Sequence, residues 1–193
     1  MKRLARRGKI MAKKVYLLLT RSNTFASKAI YQLTKDEFTH VSISLAENME
    51  PMYSFCRRYP RFALPAGFTS ESLQKGFYAI HAGIPCKLYA LKIEDQAYDK
   101  LKMALDLLME HSRILKYDIL GTMFCRLDIA HQRHNHRYCS WFVAELLGDL
   151  KILSFDKDYS LVRPMDFTFF EELELVYSGT VGELSKQMLC LKN

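Results

Sequence analysis

Between Phe38 and Cys56 the chain reads FTHVSISLAENMEPMYSFC, and its alternation leaves little choice of conformation. Val41, Ile43 and Leu45 fall on one side, and His40, Ser42 and Ser44 on the other. A period of two is the mark of a β-strand, because successive side chains of an extended backbone point to opposite faces. The polar run AENMEP interrupts the pattern, which resumes in MYSFC, so the segment is read as a β-hairpin. A hairpin of this kind needs a sheet to complete it, and it carries an imidazole on the face turned away from the apolar side chains.

The rest of the chain supplies strands and helices in mixed order. KVYLLLT (Lys14–Thr20) has the continuous apolar run of a buried strand. Ser22 fits the N-cap of a helix running to about Lys35, with Phe25, Ala29, Ile30 and Leu33 as its stripe. RRYPRFALPAGFTSES, with Pro60, Pro65 and Gly67, is read as loop. CKLYALKI (Cys86–Ile93) reads as a strand. A long helix begins at Asp95, with Leu101, Leu105, Leu108 and Met109 on its buried face. YDILGTMFC reads as a helix or turn bending at Tyr117 and Gly121, and RLDIAHQRHNH as an irregular connection. A second amphipathic helix starts at or just before Cys139 and ends near Leu150. Pro164 marks a further helix start, and ELVYSGTV a last short strand. Strands and helices do not alternate as βαβ units, so the expected class is α+β, a mostly antiparallel sheet packed against helices.

A length of 193 residues suits one domain, expected over 14–193. The formal charge of +7 is local: Lys2, Arg3, Arg6, Arg7, Lys9, Lys13 and Lys14 crowd the start without an acid among them. Setting these seven aside leaves 21 bases against 21 acids. The neutral body argues against a nucleic-acid partner. Residues 1–13 are expected to be a disordered, solubilising tail, with weak contact to an anionic surface as the alternative. Met11 is an alternative start, which leaves residues 1–10 open. The run VYLLL is too short for a membrane span or a secretory h-region, so the expected compartment is the cytoplasm. Five cysteines in scattered positions, with no CxxC, argue against a disulfide framework or a zinc ribbon and fit a reducing compartment.

One cysteine stands apart. In RHNHRYCSWFVAELL, Cys139 sits between a polar, histidine-dotted run and the helical stripe of Phe142, Val143, Leu146, Leu147 and Leu150. Three readings are open: a small buried hydrophobe, a metal ligand with His131, His134 and His136, or a nucleophile. The histidine spacing shares no face on a helix or a strand, and the surrounding QRHNHR is basic, so no metal is expected. A thiol in the first turn of a helix has its thiolate stabilised by unsatisfied N–H groups and the helix dipole. Such a nucleophile needs a base. His40, on a rigid strand, is either that base or a surface histidine. His81 and His111 read as solvated.

The strand THVSISL with its histidine first, the hairpin partner MYSF and, far downstream, YCSWFVAELL together resemble the circularly permuted papain-like (NlpC-type) thiol hydrolases. Lecithin–retinol acyltransferase belongs to the same wider group. Histidine before cysteine is the permuted order. The resemblance spans VYLLLT to LVRPMDF and LVYSGTV, and its specific part is the pair His40 and Cys139. It implies a permuted papain-like fold in which Cys139 attacks a carbonyl and His40 activates it and protonates the leaving group. It also implies a third residue orienting the imidazole. Ser54 falls where that residue is expected, and is a departure from the His, Asp, Glu or Asn of relatives. The implied activity is hydrolysis of an amide or ester in a small or peptide-like acyl substrate, without a cofactor. An acyltransferase using the same dyad and a non-catalytic binding module are the alternatives. Arg57, with Arg58 and Arg61, could clamp a substrate carboxylate or form a solvated basic loop. Tyr117 and Trp141 could wall the cleft or belong to the core.

Overall fold

The computed structural model describes residues 12–21 and 36–190. The helix expected from Ser22 to about Lys35, and the first 11 residues of the basic tail, lie outside the described residues. The chain forms β1 (Ala12–Thr20), β2 (His40–Ser44), β3 (Met52–Tyr59), β4 (Phe62–Glu71), α1 (Gly76–Ile80), β5 (Pro85–Glu94) and α2 (Asp95–Glu110). There follow β6 (Lys116–Tyr117), α3 (Ile119–Arg126), β7 (His136–Arg137), α4 (Cys139–Asp149), β8 (Leu173–Thr180) and α5 (Val181–Cys190). Two 3-10 turns, Tyr159–Leu161 and Pro164–Phe169, lie between α4 and β8. The class is mixed α and β, as expected. The eight strands make one open sheet in the order β7-β6-β4-β3-β2-β1-β5-β8, antiparallel except for β6 with β7. Lys13 belongs to β1, opposite Ile93 of β5, so the strand takes in residues that the sequence reading gave to the tail.

The central strand β1 explains the apolar run. It pairs with β2 on one side and along its whole length with β5 on the other. Val15, Leu17 and Leu19 face a core built with Val41, Ile43, Phe55, Phe68, Leu101 of α2 and Phe142, Val143 and Leu147 of α4. Tyr16 and Leu18 face a second core with Met49, Met52, Leu73, Tyr78, Leu88 and Val181, Leu184 and Met188 of α5. A strand covered on both faces has no polar side to show, hence no alternation.

Three expectations need correction. First, β2 has no solvent face: Ser42 and Ser44 are fully buried, because the second core covers the side that alternation suggested was open. Second, RRYPRFALPAGFTSES is not a loop but the end of β3 and the whole of β4. Pro60 occupies the tight turn between the paired residues Tyr59 and Phe62. Pro65 falls in the irregular stretch where the register shifts, so neither proline removes a ladder hydrogen bond. Third, the chain after β8 forms α5, whose Val181, Leu184 and Met188 carry the helical spacing that the reading left unused.

Gly67 of β4 pairs with Lys116, and a Cβ there would stand 2.2 Å from the Leu115 carbonyl oxygen. Any side chain would push the β6 edge outward. Gly67→Ala should therefore destabilise the fold by about 1–3 kcal/mol, the usual cost of overpacking. Gly83→Ala, where a Cβ would meet nothing within 4 Å, should leave the thermal midpoint unchanged. Paired melting curves check this.

Candidate active site

Cys139 opens α4. Tyr138, in extended conformation, is the N-cap and lends no side-chain cap, so the first-turn N–H groups are left to other partners. The two neighbours of Cys139 tie the helix start to the first 3-10 turn. The Tyr138 hydroxyl donates to the Ser160 carbonyl, and the Ser140 hydroxyl donates to the Val162 carbonyl at 2.7 Å. With Phe142 packed against the rings of Phe55 and Phe68, this sets α4 against the sheet and leaves Cys139 near the start of β2. Cys139 is 3% exposed, and the N–H groups of Val41 and Ser140 point hydrogen bonds at its sulfur.

His40, the first residue of β2, is close enough to the Cys139 side chain that each shifts the other's proton affinity. Its Nε2 lies 3.0 Å from Oε2 of Glu71, the last residue of β4. The Ser42 hydroxyl donates to the same Glu71 oxygen and lies 3.2 Å from His40 Nε2. Cys56 lies beside Glu71 and helps to lower it, while its thiol donates to the Arg57 carbonyl at 3.4 Å.

The charges support one another. Burial disfavours the imidazolium, yet the Glu71 carboxylate and Cys139 together raise His40 from 6.5 to about 10. Burial likewise pushes the Cys139 thiol up. His40 and the two backbone N–H groups more than offset this and hold it below its ordinary 9.0. Glu71 follows the same pattern: burial raises it, and His40 and Ser42 bring it below 4.5. His40 is therefore protonated at neutral pH, between a thiol shifted toward its thiolate and a carboxylate shifted further toward its ionised form. Burial drives Cys56 well above its usual value and Cys86 up to about 12, so Cys139 is distinguished by its partners rather than by being a cysteine.

Ser54 does not orient the imidazole. Its side chain is fully buried, and its hydroxyl donates to the Val41 carbonyl at 2.8 Å. Residue pairing between β2 and β3 is confined to Ile43–Tyr53 and Ser44–Met52, and the hydroxyl satisfies a carbonyl beyond that ladder. The orienting group comes from one strand further out, where a long acidic side chain reaches His40 and a serine on β3 is too short. The sequence signal was available: Glu71 is the one carboxylate between Pro51 and Glu94.

The other candidate residues separate. Tyr117, on β6, stands close enough to Cys139 that the thiolate, after burial, raises its phenol, which stays a neutral donor. Arg57 lies over the Phe77 ring at 4.2 Å and lines a cavity of about 420 Å³ with Glu71, Cys56, Gln74, Lys75 and Tyr78. Arg58 is structural, donating to the carbonyls of Ser112 and Leu115. Trp141 does not wall the cleft. It is 1% exposed and packs with Tyr138 and Cys125, because the helix turns it away from Cys139. His131 lies against the Phe124 ring, and His136 Nδ1 against the His134 carbonyl. Among the described residues, no group of three or more His, Cys, Asp or Glu side chains could hold a metal ion. A scan against family models finds no match, and neither the curated proteins nor the solved structures include a match to this chain.

The shifts set a pH dependence. A lowered thiol is ionised below its ordinary range, so alkylation of Cys139 should persist to lower pH than that of Cys56 or Cys86 and be lost as the pH falls through the depressed value. Glu71→Gln, which removes the charge that keeps His40 protonated, should move that midpoint upward, and His40→Ala should move it further. Iodoacetamide rates across pH, read by peptide mass, check both shifts.

Proposed function

We propose that the protein is a cysteine-dependent hydrolase of amide or ester bonds, with the permuted papain-like fold that its motif order resembles. The observation that carries this reading is His40 held between the Cys139 side chain and the Glu71 carboxylate. A buried thiol with a lowered pKa, a protonated imidazole beside it and an acid orienting that imidazole are the parts of a thiol nucleophile with its general acid–base partner. In this mechanism the Cys139 thiolate attacks the substrate carbonyl carbon. Charge develops on the carbonyl oxygen, and the first-turn N–H groups of α4, left without a side-chain cap, are suited to meet it. His40 gives its proton to the leaving amine or alcohol as the tetrahedral adduct collapses to a thioester. It then takes a proton from the water that releases the acid. Glu71 stays ionised throughout, offsetting the charge on His40. The substrate in this reading is a small or peptide-like acyl compound, with Arg57 and Tyr117 as the side chains nearest to recognising it.

Intact-mass detection of an acyl adduct on Cys139, after exposure to a mixed panel of amides and esters, tests the proposal. An adduct on the native protein, absent from Cys139→Ser, is expected; no adduct with any member of the panel overturns it. An amine acceptor in the same assay reads whether the acyl group passes to water or to the amine. His40→Ala should lower the acylation rate by about 10²–10⁴-fold, the usual contribution of a general acid–base group. Ser54→Ala should leave that rate near the native one and instead cost about 1–3 kcal/mol of stability, because the Val41 carbonyl loses its partner. Stopped-flow acylation and denaturant titration separate the two effects.

A further inference from the structure

The cavity beside Glu71 is lined by residues of β3 and β4 and by the turn into α1. Its carboxylates are already engaged. Glu71 is held by His40 and Ser42, and Oε1 of Glu50 accepts from the Ser72 hydroxyl at 2.8 Å and the Leu73 N–H at 2.9 Å. Arg58 is engaged too, on the carbonyls of Ser112 and Leu115.

The remaining donors lack an acceptor. The Arg57 guanidinium lies over the Phe77 ring, a contact that positions the group and leaves its charge unneutralised. Neither Arg57 nor Lys75 has a carboxylate partner among the described residues. Nε2 of Gln74 is shut off from water and likewise has no hydrogen-bond partner among them. A buried amide N–H left unmatched is destabilising, and in a cavity wall an entering acceptor relieves it. Two cations and an orphan amide donor around one cavity of about 420 Å³ complement a small anion. The planar fork of Arg57 suits the two oxygens of a carboxylate.

The position of the cavity says which end of a substrate carries that carboxylate. Cys139 does not line it, whereas Glu71, the hydrogen-bond partner of His40, does. The cavity thus adjoins the imidazole rather than the sulfur. In acyl transfer to a thiol the acyl group ends on sulfur, and the leaving group must be within reach of the general acid. The imidazole side is therefore the leaving-group side.

We infer that the leaving group is an amine bearing a carboxylate, as in an N-acyl amino acid, and that Arg57, Lys75 and Gln74 hold this carboxylate. The Cys139 sulfur bonds to the acyl carbon, the carbon–nitrogen bond breaks, and the amine departs with the proton from His40. Water then releases the acid and restores the thiolate and the protonated imidazole. The inference rests on the hydrolase reading and adds the substrate class to it.

Matched pairs of amides test it. N-acetyl and N-octanoyl derivatives of glycine and of γ-aminobutyrate are compared with the same compounds carrying a carboxamide in place of the carboxylate, and kcat/KM is read from amine release. The native protein should favour the carboxylate member by at least about tenfold, the size of one charge-assisted hydrogen bond. Arg57→Gln should bring that ratio close to one, chiefly by raising KM, and Lys75→Gln and Gln74→Leu should each lower it. Lys100→Gln, which removes a positive charge from the exposed side of α2, should leave the ratio as in the native protein. Equal kcat/KM for the two members in the native protein overturns the inference and leaves the hydrolase reading standing. So does a preference that survives Arg57→Gln combined with Lys75→Gln, and so does release from neither member while other amides or esters acylate Cys139. Release from neither member, with no adduct on Cys139 from any compound, overturns both.

Discussion

Three ionisable side chains share a site that is almost closed to water, and the local structure follows from the need to keep their charges answered. A lone buried thiolate or carboxylate would take up a proton, and a lone buried imidazolium would lose one. Here each charge is held by its neighbour: Cys139 by His40 and two backbone N–H groups, His40 by Glu71, and Glu71 by His40 and Ser42. The row exists because three separate pieces of chain end at one place: the start of β2, the end of β4 and the first turn of α4. The rest of the sheet fixes those ends. The long β1–β5 ladder holds β2, the β3–β4 hairpin brings Glu71 across, and the two anchors from Tyr138 and Ser140 fix where α4 begins.

The second core explains why a carboxylate can serve from two strands away. Small side chains on β2 and β3, Ser42, Ser54 and Cys56, leave room over that face for the Glu71 side chain. Tyr78 and Leu73 close the region from the side of α1. Bulkier residues at those positions would fill the sheet surface between Glu71 and His40. The serines that looked like the polar face of an amphipathic strand are thus buried spacers, each with its hydroxyl satisfied locally: Ser42 by Glu71, Ser44 by the Pro51 carbonyl, Ser54 by that of Val41.

Much of this was legible in the sequence, and what was not has a physical reason. The hairpin from His40, the buried strand to Thr20, the long helix from Asp95 and the helix opening at Cys139 all followed from periodicity, which depends only on neighbours along the chain. The association of His40 with Cys139 followed from residue type and motif order. Glu71 was missed because it depends on the pairing register of a strand that two prolines and a glycine disguised as loop, and register is a tertiary property. Trp141 was misplaced because the side of α4 it occupies is decided by packing on Tyr138 and Cys125, which the local pattern does not contain. The burial of Ser42 and Ser44 was hidden because the cover over that face comes partly from α5, far along the chain.

The parallel pair β6–β7 at the sheet edge has a consequence of its own. The chain leaves the sheet at Tyr117, makes the excursion through α3, and returns beside the same strand at His136, pointing the same way. Everything between is a detour hung on two short adjoining strands, and it touches the start of α4 through Cys125, buried against Tyr138 and Trp141. The outward side of such a detour can change while Cys125 keeps its place, because the imidazole and the carboxylate are carried by β2 and β4. It is the part of the molecule whose surface is least tied to the geometry of the site.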